Sequence, residues 1–132
     1  MIYHRGIELS ELLGKTLVEV TRGTNSNDDC LLFVDSEGNR YRLYHCQGCC
    51  EEVRIEDIVG DLNDLVGAPI LLAECVTSQE HPADFADDSY LESFLWTFYK
   101  FATIKGYVDI RWFGTSNGYY SESVDFVKEM SE

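Results

Sequence analysis

The stretch Glu8–Leu17, ELSELLGKTL, recurs at Asp61–Ile70 as DLNDLVGAPI. Both copies run in one order: acidic residue, Leu, polar residue, acidic residue, Leu, aliphatic residue, Gly, two variable positions and an aliphatic residue. Later in each copy a Gly precedes a bulky pair, in QGCCEEV at 47–53 and NGYYSESV at 117–124. An internal repeat predicts architecture more strongly than local propensity does. The sequence therefore predicts two related units, about residues 8–58 and 61–128.

The sequence of each unit predicts a short helix followed by four strands. The helices are expected near residues 8–13 and 61–66, ended by Gly14 and Gly67. Alternating apolar residues and turn formers predict strands at Lys15–Arg22, Cys30–Asp35, Arg40–His45, Cys50–Ile58, Ile70–Val76, Ser93–Ile104, Tyr107–Phe113 and Tyr119–Lys128. Strands joined by short turns are antiparallel neighbours. We expect a mainly β fold (α+β minor) of two related four-stranded antiparallel meanders, packed as a pseudo-two-fold sandwich or flattened barrel.

Length and composition indicate a single domain spanning residues 1–132. The chain has 45% hydrophobic residues, which is enough for a core. No apolar run reaches the roughly 18 residues of a membrane helix, and the first residues lack the apolar core of a signal peptide. The five cysteines are an odd number, which is typical of thiols in a reducing compartment. A cytoplasmic protein without a structural disulfide is expected.

The charge balance limits the possible partners. The chain has 24 acidic and 10 basic residues, and its net charge is −14. Nucleic acids and anionic membranes are bound through clustered Lys and Arg, so direct contact with either is not expected. A basic protein would be attracted and its association accelerated. Solubility alone is the other explanation of such a surface.

The segment from His45 to Glu51 is the one concentration of metal-ligand side chains. Cys46 and Cys49 have the C-x-x-C spacing of a zinc knuckle, and the candidate ligands are His45, Cys46, Cys49 and Cys50. A second ligand pair is missing from the sequence, and a redox dithiol would sit before a helix rather than between strands. Small half-buried thiols in a tight turn are the simpler explanation. The corresponding turn of the second unit has no Cys or His, so the repeat itself does not require them.

Catalysis has little support in the sequence. There is no serine elbow and no phosphate-binding glycine loop. A dyad of Cys49 or Cys50 with His45 would lack an orienting third group and an oxyanion hole. The sequence leaves an enzymatic role open and favours a non-enzymatic one.

The second unit has more aromatic residues than one buried face can hold. The run Phe94–Thr103 is apolar on both faces, whereas one face of a meander is buried. An exposed aromatic patch within an acidic surface is therefore expected, and such patches bind proteins.

Three stretches, ELLGKTLVEV, YHCQGCCEEVRIEDIVGDLNDLVGAPILLAE and FLWTFYKFATIKGYVDIRWFGTSNGYYSESVDF, resemble a family of short, uncharacterised proteins of bacteriophages and prophages. His45, Gln47, Cys49, Cys50 and Glu51 match its H-x-Q-x-C-C-E motif, and the family's S-N-G-Y-Y-S-E-S-V motif is also present. Cys46 departs from the pattern, which weakens the C-x-x-C interpretation. The resemblance implies a small viral accessory protein in the host cytoplasm and carries no activity.

Two functions are expected from these observations. The first is binding to a basic host or phage protein, such as a nucleic-acid-handling or defence factor that would be inhibited. The second is a zinc-binding or thiol-dependent module on the turn from His45 to Glu51. The predicted binding residues are His45, Gln47, Cys49, Cys50, Glu51, Asn117, Tyr119 and Tyr120. We expect the thiol turn, rather than the acidic loop Thr77–Glu92, to carry the specific interaction.

Overall fold

The computed structural model describes residues 2–25, 28–45, 51–78, 93–116 and 122–131. These residues form nine strands and two 3-10 turns. The strands are β1 (Ile2–Gly6), β2 (Leu17–Asn25), β3 (Asp28–Asp35), β4 (Arg40–Tyr44), β5 (Glu52–Val59), β6 (Leu72–Ser78), β7 (Ser93–Thr103), β8 (Gly106–Ser116) and β9 (Asp125–Ser131). The 3-10 turns span Leu9–Leu12 and Leu62–Leu65.

The strands form two antiparallel sheets that are not closed into a barrel. The first sheet has five strands in the order β1-β9-β4-β3-β2, and the second has four in the order β5-β8-β7-β6. Phe33 on β3 and Phe101 on β7 pack with ring centroids 5.5 Å apart, so the sheets bury their inner faces on each other. The predicted mainly β sandwich is confirmed, with one strand more than expected because β1 pairs along β9.

The predicted composition of each sheet needs a correction. The fourth strand of each unit joins the sheet of the other unit, since β5 pairs with β8 and β9 pairs with β4. Each sheet therefore holds a three-stranded meander from one unit and the last strand of the other. The meander rule fails between β4 and β5 and between β8 and β9, because the two strands of each pair belong to different sheets. We call residues 46–50 and 117–121, which lie in these two connections, the first and the second crossing.

The predicted short helices are single 3-10 turns. Their hydrogen bonds span three residues, as in Glu11 N–H to the Glu8 carbonyl (3.0 Å) and Asp64 N–H to the Asp61 carbonyl (2.9 Å). Four residues are too few for a run of α-helical bonds, which span four positions. Leu12 and Leu65 are fully buried, so each turn anchors its unit in the core.

The segments that follow the two 3-10 turns pair with each other as a two-fold repeat requires. The repeat carries Leu13 onto Val66 and Leu17 onto Ile70. Parallel bridges join Leu13 to Ile70 and Leu17 to Val66, so the same exchange carries one bridge onto the other. These contacts show that the sequence repeat is a structural repeat at this point of the fold.

Two glycines complete the same junction. Gly14 N–H donates to the Ile70 carbonyl (2.8 Å), and Gly67 N–H donates to the Leu17 carbonyl (2.9 Å). Both have positive φ, 81° and 88°, which side chains other than glycine adopt at a cost. The Gly that follows the leucines in each copy therefore links the two units.

The described residues pack into one main core and a smaller cluster. The main core lies between the sheets and includes residues of both units. Its largest fully buried members are Trp112, Tyr41, Phe33 and Phe101. The smaller cluster is Phe94, Trp96 and Phe113.

Candidate functional site

The strand ends on either side of residues 46–50 and 117–121 lie side by side. Tyr44, at the end of β4, pairs with Asp125, at the start of β9. Glu52, at the start of β5, pairs with Thr115, near the end of β8. In each sheet, the strand that ends at one crossing is therefore the neighbour of the strand that begins after the other crossing. The predicted thiol turn and its counterpart in the second unit are attached at one place.

His45 joins the two crossings through both of its ring nitrogens. Its Nδ1 lies 2.7 Å from the carbonyl oxygen of Ser123, and its Nε2 lies 2.7 Å from Oε2 of Glu51. The side chains of His45 and Glu51 are only 3% and 1% exposed. These buried contacts hold His45 and Glu51, which flank the first crossing, against Ser123, which follows the second crossing.

The hydrogen-bond chemistry fixes how this site holds its protons. A carbonyl oxygen only accepts, so the Nδ1 of His45 carries a hydrogen and donates it to Ser123. The contact between Nε2 and Glu51 requires one further proton, either on the ring or on the carboxyl group. In both arrangements His45 and Glu51 together carry no net charge, which makes their burial tolerable.

This geometry bears on the predicted zinc and catalytic roles of His45. Zinc binds the lone pair of a neutral imidazole nitrogen, and a general base needs such a lone pair as well. Both ring nitrogens already bond to Ser123 and Glu51, so either role would have to break one of these bonds. His45 and Glu51 act here as a structural link between the crossings.

The other predicted site residues lie outside the described residues: Cys46, Gln47, Cys49, Cys50, Asn117, Tyr119 and Tyr120. The binding and zinc assignments to the thiol turn therefore stay predictions. Within the described ranges, no group of three or more His, Cys, Asp or Glu side chains could hold a metal ion.

A second buried carboxylate, that of Glu122, lies directly after the other crossing. Ser116 Oγ donates to Oε1 of Glu122 over 2.9 Å, and Glu122 is buried. Both crossings thus have a glutamate bonded to the residue six positions earlier, His45 or Ser116. This role of Glu122 is not predicted from the sequence. The signal was present, because each repeat has a Glu shortly after its bulky pair.

The two described cysteines give no sign of an activated nucleophile. Cys30 and Cys75 are free thiols, buried and exposed respectively. Cys75 is exposed as a whole residue, but its side chain shares a face with the buried Tyr99, and this partial burial raises the pKa of the thiol more strongly than the hydrogen bond with Tyr99 lowers it. A raised pKa reduces the reactive thiolate fraction.

The outer face of the second sheet is the other candidate site. Val76 and Phe98 are cross-strand neighbours there, 61% and 38% exposed, and Trp96 stacks on Phe98 with ring centroids 6.1 Å apart. Arg111 lies 5.1 Å from the centre of the Trp96 ring and pairs with Asp57 at 2.8 Å. The predicted exposed aromatic patch is present only in part, because Phe98 is exposed whereas Trp96 is buried.

Two concavities of the described surface combine apolar groups with an excess of carboxylates. The first, about 470 Å³, lies on the outer face of the second sheet. Its charged lining residues are Asp57, Glu74, Asp109, Lys100 and Arg111. The second, about 560 Å³, is lined by Gly6, Ile7, Glu8, Glu11, Val124, Asp125 and Phe126. Carboxylates outnumber cations in both linings, so both favour basic groups.

The comparisons with known proteins give a family but no activity. No curated protein and no solved structure matches the chain. Within the described residues, no helix has the length and apolarity needed to span a membrane. Residues 10–126 match DUF7448, a domain of unknown function. Because the match covers most of its length, the chain belongs to the DUF7448 family.

Proposed function

We propose that this protein is a small accessory protein that acts by binding a basic partner protein. The observation that carries the proposal is the excess of carboxylates around the two concavities, each of which also offers apolar groups. Charge of one sign around an apolar surface speeds association with an oppositely charged partner and selects against others.

The partner class follows from the net charge of −14. A protein that handles nucleic acid presents a basic surface to phosphates. An acidic binding protein can occupy that surface and so inhibit the nucleic-acid-handling protein that carries it. The resemblance to phage and prophage proteins supports a host or phage factor as the target, in the cytoplasm of a bacterial host.

Among the described residues, the states of His45 and Cys75 favour binding over catalysis, whereas the candidate nucleophiles Cys49 and Cys50 lie outside them. His45 has both ring nitrogens bonded to protein groups, and the pKa of Cys75 is raised. Neither residue is prepared for proton abstraction or nucleophilic attack.

A zinc-binding or thiol-dependent module on the thiol turn is the second candidate. Its support is position: Cys46 follows the buried His45 directly, and the equivalent crossing of the second unit has no cysteine.

Capture of partners from a bacterial lysate at about 50 mM and about 500 mM salt tests the leading proposal. A variant with Glu8→Gln, Glu11→Gln and Asp125→Asn removes the carboxylates of the second concavity. A matched variant with Glu19→Gln, Glu37→Gln and Glu56→Gln changes the net charge equally at other positions.

The proposal expects one basic protein to be captured at low salt and lost at high salt. Capture should fall more in the first variant than in the second. Absence of any partner at either salt, or a partner bound equally at both, contradicts it.

A further inference from the structure

Strand β6 is an edge of the second sheet, and its regular backbone is suited to pairing. All seven of its residues pair in register with β7, and within the described residues no strand lies on its other side. Edge strands β2 and β5 both have irregular register, and the Asp29 carboxylate accepts the Ile55 N–H of β5 (2.8 Å). An edge without a bulge, Pro or Lys is a template for a further strand.

The side chains of β6 on the outer face define what such a strand would meet. Glu74 and Val76 are two positions apart and therefore share that face. Val76 adjoins Phe98, which extends the apolar surface onto β7. A further strand would place one side chain beside Glu74 and another, two positions away, beside Val76.

The charges on this face favour a basic side chain beside Glu74. Glu74, Lys100 and Asp109 lie side by side on β6, β7 and β8, with Lys100 between the two carboxylates. This row of neighbouring side chains therefore has one carboxylate in excess. Arg111 in the next row is already paired with Asp57. Opposite charges on adjacent strands stabilise pairing and like charges oppose it.

We propose that β6 takes up an extended segment of the partner protein as a fifth strand of the second sheet. The segment has a Lys or Arg beside Glu74 and an aliphatic residue two positions away beside Val76. Backbone hydrogen bonds supply most of the affinity, and these two side chains supply specificity. This inference rests on the proposed function and names its surface and the partner's chemistry.

A second copy of this chain fits the edge less well. In an antiparallel pair of β6 strands centred on Cys75, each Glu74 would face Val76 of the other copy and no base would be supplied. Each copy also carries a net charge of −14, which opposes self-association.

Selection from a random ten-residue peptide library on the whole protein tests the inference. We expect enriched peptides to have a basic residue two positions from an aliphatic one. Amide hydrogen exchange should then show protection of the β6 amides by the selected peptide and none by the same peptide with N-methylated backbone.

Charge reversal separates this surface from the rest of the molecule. Glu74→Lys should weaken the selected peptide about fivefold to tenfold, and selection on that variant should enrich acidic residues instead. Glu19→Lys, an exposed change on β2 of the first sheet, is the matched control and should leave binding unchanged.

The inference is overturned if no peptide is enriched or if Glu74→Lys has no effect. Protection away from β6, or concentration-dependent protection of β6 without peptide, overturns it as well. Salt-sensitive capture of a basic protein by wild type and Glu74→Lys alike would keep the proposed function and reject only this surface.

Discussion

Nε2 of His45 lies 2.7 Å from Oε2 of Glu51, and both side chains are buried where the chain crosses from the first sheet to the second. Each side chain can be buried because the other supplies its hydrogen-bond partner. This contact offsets the free-energy cost of removing each polar group from water. Ser123 completes the arrangement by accepting the hydrogen of Nδ1.

Replacing Glu51 by Ala should therefore destabilise the protein strongly. The change leaves the Nε2 of His45 buried without its partner, and we expect a loss of about 3 kcal/mol or more in unfolding free energy. Urea unfolding measures it. Glu52 is the matched control because its side chain is 67% exposed and pairs with Arg54. Glu52→Ala should cost about 1 kcal/mol or less. Equal losses in the two variants would contradict a structural role for the His45–Glu51 pair.

A third buried carboxylate, Asp35, should make stability depend on acid pH. Burial acts to raise the pKa of Asp35, but hydrogen bonds from Asn39, Tyr41 and Glu37 together outweigh it and lower the pKa. A lowered folded-state pKa stabilises the protein above the unfolded value of about 3.9, and this stability is lost as the pH falls through the folded-state pKa.

Asp35→Asn should therefore be less stable than wild type by about 1–3 kcal/mol at pH 7, with the difference shrinking below about pH 4. Unfolding free energies measured across this range give the comparison. Glu37→Gln changes an exposed residue of the same hairpin and should keep the wild-type profile. A constant difference between Asp35→Asn and wild type at all pH values would show that Asp35 does not contribute through its charge.

The two strand exchanges show what sequence patterns can and cannot predict. Alternation in Arg40–Tyr44 or Gly106–Ser116 identifies the buried face of a strand, and the repeat predicts the order of the elements. Neither identifies the neighbour of β5 or β9, because that choice depends on the direction of the chain through each crossing and on contacts distant in sequence.

The same limit applies to the candidate site, where the sequence identifies residues but not their contacts. The sequence predicts His45 as a metal ligand or binding residue and Glu51 as a binding residue, but their chemistry depends on Ser123, which belongs to the other repeat. The pairing of β1 with β9 was also missed. It joins the two ends of the described chain, and no local pattern in the first residues indicates that pairing.

The glycines of the repeat give a test that isolates backbone conformation. Gly14 has φ 81°, and a Cβ added there would meet no atom within 4 Å. Gly14→Ala should cost about 1–2 kcal/mol from the left-handed conformation alone. Gly6 offers equally open space without a positive φ, so Gly6→Ala should be neutral or slightly stabilising in the same urea measurement. If the two variants lose stability equally, the conformation of Gly14 is not the cause.

Metal content tests the zinc candidate independently of any partner. Because His45 is held by Glu51 and Ser123, we expect the crossing to be stable without metal, and chelation should leave the melting temperature unchanged. Elemental analysis of the purified protein and melting with and without chelator measure both quantities. Zinc near one equivalent together with a lower melting temperature after chelation would contradict this expectation and favour the zinc-binding candidate.

The thiol turn itself needs a test that does not disturb the link beneath it. Replacing His45 would unfold the crossing rather than report on binding, so the informative variant is Cys49→Ser with Cys50→Ser. We expect it to keep the wild-type melting temperature and to capture less of the basic partner from lysate, because segments that link strands carry function more often than the strands themselves. Ser36→Ala is the control, since it changes an exposed residue outside both β6 and the thiol turn and should leave capture unchanged. If capture survives the double variant but is lost in Glu74→Lys, the partner is recognised by the edge of the second sheet and the thiol turn has no part in binding.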